Sequence, residues 1–166
     1  MEAIASFQID HTNLKPGIYV SRRDKGFITF DMRFTEPNVE PVMDQKTAHS
    51  LEHLLATWFR NNDKIKGDVV YVGPMGCLTG FYIIMRDNGY TEFSMRNYML
   101  GAINWILEQT EVPATTPATC GNYALHSLEG AKEMAKLYAS RIAEHLYTEY
   151  TKLETKLDNG MAFADA

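Results

Sequence analysis

The stretch HSLEHL, residues 49–54, puts two histidines four residues apart and a glutamate directly before the second. Residues four apart on a helix stack on one face, so His49 and His53 can aim nitrogens at a single ion. Glu52 is rotated by about 100° from His53 around the helix axis, where it can reach the open side of that ion without being a ligand. The H-x-x-E-H order is that of inverted zinc sites. The plain alternative is the polar edge of an ordinary helix. A catalytic ion usually takes three protein ligands and keeps one position open, so the pair needs a third. Cys120, in the loop VPATTPATCG, is a candidate because thiolate suits divalent zinc or iron. Its other reading is a buried small apolar residue. His126 competes for the same role, or helps cap the helix that follows.

Cys77 sits in PMGCLTG, a turn bounded by Pro and Gly. Exposed backbone N–H groups and a nearby dication would favour its thiolate. Such a group can carry protons or attack carbon; otherwise it is a structural cysteine at a strand start. Ser6, His11 and Arg33 read blandly on their own: a turn residue, a surface histidine, and a neighbour of Asp31.

Elements are needed to bring these residues together. GIYVSRRDKGFITFDMRF, residues 17–34, reads as two strands around a turn at Asp24-Lys25-Gly26. In the second strand Ile28, Phe30, Met32 and Phe34 share one face, and Thr29, Asp31 and Arg33 the other. The pattern predicts a first helix over 47–60, with Leu51, Leu54, Leu55 and Trp58 on its apolar stripe. VVYVG (69–73) reads as a short buried strand and LTGFYIIMR (78–86) as another. A second helix is expected over 92–111, before Pro113. A third starts near Ser127, a good N-cap, and is expected to run to about residue 150. Residues 1–155 are expected to form one domain and 156–166 a tail. The order β-β-α-β-β-α-α with short turns implies an α+β fold, an antiparallel sheet with helices packed on one face.

The chain has 166 residues, enough for one domain, with 45% hydrophobic and 22% charged residues. Net charge is −5 without a basic cluster, which argues against nucleic-acid or anionic-membrane binding. No run of about 18 apolar residues predicts a spanning helix. The first residues lack the basic and apolar regions of a secretory signal. The cytosol is therefore the expected compartment, where the two cysteines stay reduced.

Taken together, five segments occur in register: SF-x-x-DHT (6–12), D-x-R-F-x-x-PN (31–38), HSLEHL (49–54), PMGC-x-TG-F-Y (74–82) and CG-x-x-x-x-HSLEGA (120–131). The set resembles the S-ribosylhomocysteine lyase (LuxS) family, the bacterial autoinducer-2 precursor synthases of quorum sensing, from about residue 6 to 140. The resemblance implies a homodimer with two sites at its interface. It implies His49, His53 and Cys120 as ligands of ferrous iron, with zinc as a substitute. It implies Cys77 and Glu52 as the acid/base pair, and Ser6, His11 and Arg33 as substrate contacts, Ser6 and His11 arriving from the other subunit. The implied reaction moves a carbonyl along the sugar by proton shifts and then eliminates homocysteine, leaving 4,5-dihydroxy-2,3-pentanedione. One departure stands out: Tyr71 occupies a position where many members carry aspartate.

Two other readings compete. A small zinc peptidase would use Glu129 as third ligand, and would leave both cysteines without work. A non-catalytic metal-stabilised module would close the site with His49, His53, Cys120 and His126 together.

Overall fold

The computed structural model describes residues 8–153. The first hairpin pairs β1 (Gly17–Asp24) with β2 (Phe27–Arg33). Its two-residue tip, Lys25 and Gly26, has φ of 49° and 79°, the twist that matches two right-handed strands. The α1 helix (Gln45–Asn61) follows, begun by Asp44, whose carboxylate accepts the Thr47 N–H. β3 (Val69–Pro74) and β4 (Gly80–Arg86) form the second hairpin. The α2 helix (Glu92–Glu108) and the α3 helix (Leu128–Glu144) complete the fold. The four strands are antiparallel in the order β1-β2-β4-β3. This is the expected α+β arrangement.

One sheet face and the helices share a core. Across the strands run Ile18, Met32 and Phe81 in one row, and Val20, Phe30, Ile83 and Val72 in the next. Leu51, Leu54 and Leu55 from α1, Met99 and Ile103 from α2, and Ala135 and Ile142 from α3 close over them. Each such large side chain contributes about 1.5–3 kcal/mol by leaving water. Tyr138 of α3 stacks on Phe34 with ring centroids 3.9 Å apart, and its hydroxyl donates to the Gly17 carbonyl at 2.7 Å.

The opposite sheet face is polar, and along β2 it is buried. Thr29, Asp31 and Arg33 are 7%, 1% and 2% exposed. Residues beyond α3 cover this face: Tyr147 bridges to Gly17, and Tyr150 stacks on Tyr19. That explains why α3 stops at Glu144 rather than near residue 150. The chain there extends to bond the sheet edge, the Ile18 N–H donating to the Tyr147 carbonyl at 2.9 Å. α2 likewise ends early, at Glu108, capped by Gln109. In α1 the fully buried aromatic is Phe59, while Trp58 lies half-buried against Gly101. β3 is an edge strand with Val70 and Tyr71 exposed, not a buried one.

Candidate metal centre and the Cys77 cavity

α1 places His49 and His53 side by side, as the four-residue spacing requires, with ring centroids 4.8 Å apart. Each ring is held from behind by a backbone carbonyl. His49 Nδ1 donates to Leu125 O at 2.9 Å, and His53 Nδ1 to Pro113 O at 2.8 Å. A carbonyl can only accept, so both protons sit on Nδ1 and both Nε2 lone pairs are free for an ion. Outer hydrogen bonds of this kind orient metal-ligating histidines. The loop after α2 supplies Cys120, whose Sγ lies 3.4 Å from His49 Nε2. His126 completes the group, its Nε2 3.7 Å from the same sulfur. All four ligand atoms fall within 4.8 Å of one another. Ligands at about 2.0–2.3 Å from a tetrahedral ion stand roughly 3.5 Å apart, so the donor set suits zinc or iron.

His126 differs from the other two histidines. Its Nδ1 faces the Ser50 hydroxyl at 3.2 Å, a group that can donate or accept, so its tautomer is not fixed. Ser50 Oγ also accepts the Ser127 N–H at 2.8 Å, tying α1 to the start of α3. Burial, then the neighbouring His49 and His53, hold His126 below the usual histidine range. The cap of α3 is Ser127, which accepts from Gly130 N, so His126 belongs to the cluster rather than to the cap. Glu129 is exposed and outside the cluster, which leaves a peptidase without its third ligand. Glu52 is half-buried on α1 and is not part of the cluster.

Cys77 lies in the tight turn between β3 and β4, beside Leu78 at φ 59°. A non-glycine residue in the left-handed region marks a conformation imposed by its surroundings. Here the Leu78 N–H donates to Met75 O, and Leu78 O accepts from Met43 N. Cys77 Sγ meets Thr79 Oγ1 at 3.0 Å and the Arg33 guanidinium at 3.9 Å. Burial raises the thiol pKa, but the Thr79 hydrogen bonds and then the Arg33 charge bring it below the ordinary value. Arg33 is itself anchored, donating to Thr79 Oγ1 at 2.5 Å and to Asp31 Oδ2 at 2.6 Å. Burial is the largest influence on Asp31 and pushes its carboxyl pKa up; Arg33 and Tyr150 act the other way.

A cavity of about 550 Å³ opens beside this network, lined by His11, Arg33, Cys77, Thr79 and the loop of residues 37–42. The loop is held by Arg141 of α3, which donates to both Glu40 carboxylate oxygens and to Phe34 O. None of His49, Glu52, His53, Cys120 or His126 lines this cavity. The expected residues therefore fall into two groups: the metal cluster on α1 and its facing loop, and Cys77 with Arg33 and His11. Ser6 lies outside the described residues. Thr79 and Asp31, which organise the second group, are not among the expected site residues, although their places in PMGC-x-TG and D-x-R-F are a signal that could have found them. Tyr71 folds back along β3, where a side chain at Gly73 would overlap its hydroxyl.

The S-ribosylhomocysteinase (LuxS) family model matches residues 4–149. The chain belongs to this family. It is 45% identical over 149 residues to an S-ribosylhomocysteine lyase of Porphyromonas gingivalis, covering 87% of this chain and 93% of that one. A lyase of the same name from Phocaeicola vulgatus is 40% identical over 161 residues, 94% and 99% of the two chains. Another from Clostridium acetobutylicum is 41% identical over 145 residues, 84% and 91%. LuxS membership matches the five segments read from the sequence. Among the described residues no helix is long and apolar enough to cross a membrane.

Proposed function

We propose that this protein cleaves the thioether of S-ribosylhomocysteine, releasing homocysteine and 4,5-dihydroxy-2,3-pentanedione, the autoinducer-2 precursor. The observation that carries this reading is the convergence of His49, His53 and Cys120, with both histidines oriented by carbonyls to leave Nε2 free. These three residues would hold ferrous iron or zinc, with His126 beside them. The bound ion supplies Lewis acidity toward the oxygens of the sugar.

The remaining work falls to the chain's own side chains. The thioether carbon begins far from the carbonyl, so its neighbouring proton is not acidic. Successive proton shifts move the carbonyl along the sugar. Once it reaches C3, the C4 proton becomes acidic and homocysteine leaves as a thiolate by β-elimination. Cys77, whose thiolate is favoured by Thr79 and Arg33, and Glu52 move protons on opposite sides of the sugar. Ser6, His11 and Arg33 bind the substrate.

Two copies are proposed to complete two sites. The metal cluster and Glu52 do not line the Cys77 cavity of the same chain, which supports assembly of the acid/base pair across an interface. On this reading His11, Arg33 and Cys77 arrive together, since they line one cavity. Residues 1–155 are proposed as the lyase unit; residues 156–166, expected as a tail, lie outside the described residues. The two free cysteines suit the reducing cytoplasm.

The test is release of thiol from S-ribosylhomocysteine by anaerobically prepared protein. Wild type should release homocysteine. Cys77→Ala and Glu52→Ala should release almost none while keeping the metal. Normal turnover by Cys77→Ala would defeat the acid/base assignment, and an inert wild type with a closed four-ligand ion would favour a structural metal module.

A further inference from the structure

The LuxS match ends at residue 149, and the next residue makes two contacts on the polar sheet face. Tyr150 stacks on Tyr19 with centroids 4.6 Å apart and planes 9° from parallel. Its hydroxyl donates to Asp31 Oδ2 at 2.9 Å. Asp31 is 1% exposed, and its Oδ1 has no partner among the described residues. Among the described residues the carboxylate's side-chain hydrogen bonds come from Arg33 and Tyr150, and the phenol stays protonated because burial and then the Asp31 charge hold its pKa far up.

The strand-like segment around Tyr150 also holds the chain's first described residues. The Asp10 N–H donates to Thr151 O at 2.8 Å, and the Leu153 N–H to Gln8 O at 2.9 Å. Ile9 and Lys152 form an antiparallel bridge. His11 follows at once, its Nδ1 donating to Ile9 O at 2.9 Å, and it lines the Cys77 cavity. On the other side the segment is seated by Gly17, where any side chain would run into the Tyr147 carbonyl.

We infer that Tyr150 is a positioning residue: anchored on Tyr19 and Asp31, it fastens residues 147–153 across the sheet, and that segment holds His11 at the substrate cavity. The inference rests on the proposed role of His11 in binding the substrate. It assigns work to a residue beyond the five shared segments, and it links the Asp31–Arg33 pair to residues 8–11 through one phenol.

Two measurements test it together. Tyr150→Phe keeps the ring stack and removes only the hydroxyl; Tyr150→Ala removes both. Loss of one hydrogen bond to a buried carboxylate corresponds to about a tenfold change in a linked equilibrium. Tyr150→Phe should therefore raise KM for S-ribosylhomocysteine by about tenfold with kcat within about twofold. In a His11→Ala background it should raise KM no further, because no imidazole is then left to position. Independently of turnover, hydrogen exchange at the Asp10 amide should quicken by about tenfold in Tyr150→Phe. An unchanged KM, or the full penalty persisting in the His11→Ala background, would overturn the positioning role. Unchanged Asp10 exchange would overturn it even in a protein without lyase activity. An inert wild type would instead overturn the proposed reaction, leaving the exchange result to decide this inference.

Discussion

Thr79→Val should weaken the Cys77 thiolate without dismantling the site. The Thr79 hydroxyl is the nearest polar atom to Cys77 Sγ, at 3.0 Å, and among the favourable contacts it acts most strongly to lower that thiol's pKa. Arg33 stands farther off, at 3.9 Å, and shares its charge with Asp31 at 2.6 Å. Deleting Arg33 would strand Asp31 unpaired in the interior, so its variants confound chemistry with folding. Valine at residue 79 removes the hydrogen bond to the sulfur and the one that Thr79 Oγ1 accepts from Arg33, and leaves the Arg33–Asp31 ion pair in place. A hydrogen bond to a charged group contributes about 1.5–3 kcal/mol. Solvent reaches the exposed Cys77, so the lower end applies, and the thiolate fraction on the acid side should fall by roughly tenfold.

The sign follows from the depressed thiol. Thiolate is present above its folded-state pKa and is lost as pH falls through it, so Thr79→Val should move the whole profile to higher pH. The assay is the rate of iodoacetamide modification against pH, with Cys77 and Cys120 separated by peptide mass mapping. Thr79→Ser, which returns the hydroxyl, should restore the wild-type midpoint. An unmoved midpoint in Thr79→Val would refute the account of how Cys77 is activated.

Two further variants probe the metal cluster. His53→Ala should lose most of the bound metal, measured by elemental analysis after dialysis, whereas His126→Ala should keep it; equal losses would mean a four-ligand site. Gly130→Ala should lower the melting temperature by about 5 °C, since the added methyl would overlap Thr47 Oγ1 where α3 meets α1. It should also reduce metal retention, because that junction holds the loop carrying Cys120 and His126; unchanged melting and metal content would show that the junction can give way freely.

What could be read from the sequence and what could not divides along a physical line. HSLEHL was legible because a helix converts a four-residue spacing into proximity without help from the rest of the fold. The β2 alternation was legible for the same reason, since a strand converts spacing into facing. The assignment of α3 overshot because residues 145–150 carry no breaker. Only the unsatisfied edge of β1 decides that Tyr147 should offer its carbonyl to Ile18 rather than continue a helix. Trp58 and Phe59 are adjacent on α1, and periodicity alone could not tell which would face the sheet.

The same line runs through the site. Asp31 beside Arg33 looked like an ordinary local pair, and the pair is indeed local, at 2.6 Å. Its importance comes from what the fold adds at a distance: Thr79 from β4's approach, Tyr150 from the far end of the chain, and near-complete burial. A buried carboxylate and guanidinium are costly unless their hydrogen bonds are filled, so residues that fill them acquire functional weight without a motif of their own. Such residues escape recognition by spacing because sequence distance carries no information about them: Tyr150 lies 119 positions from Asp31. They are found by asking which buried polar atoms need partners, and that question leads from Cys77, through Thr79, Arg33 and Asp31, to Tyr150.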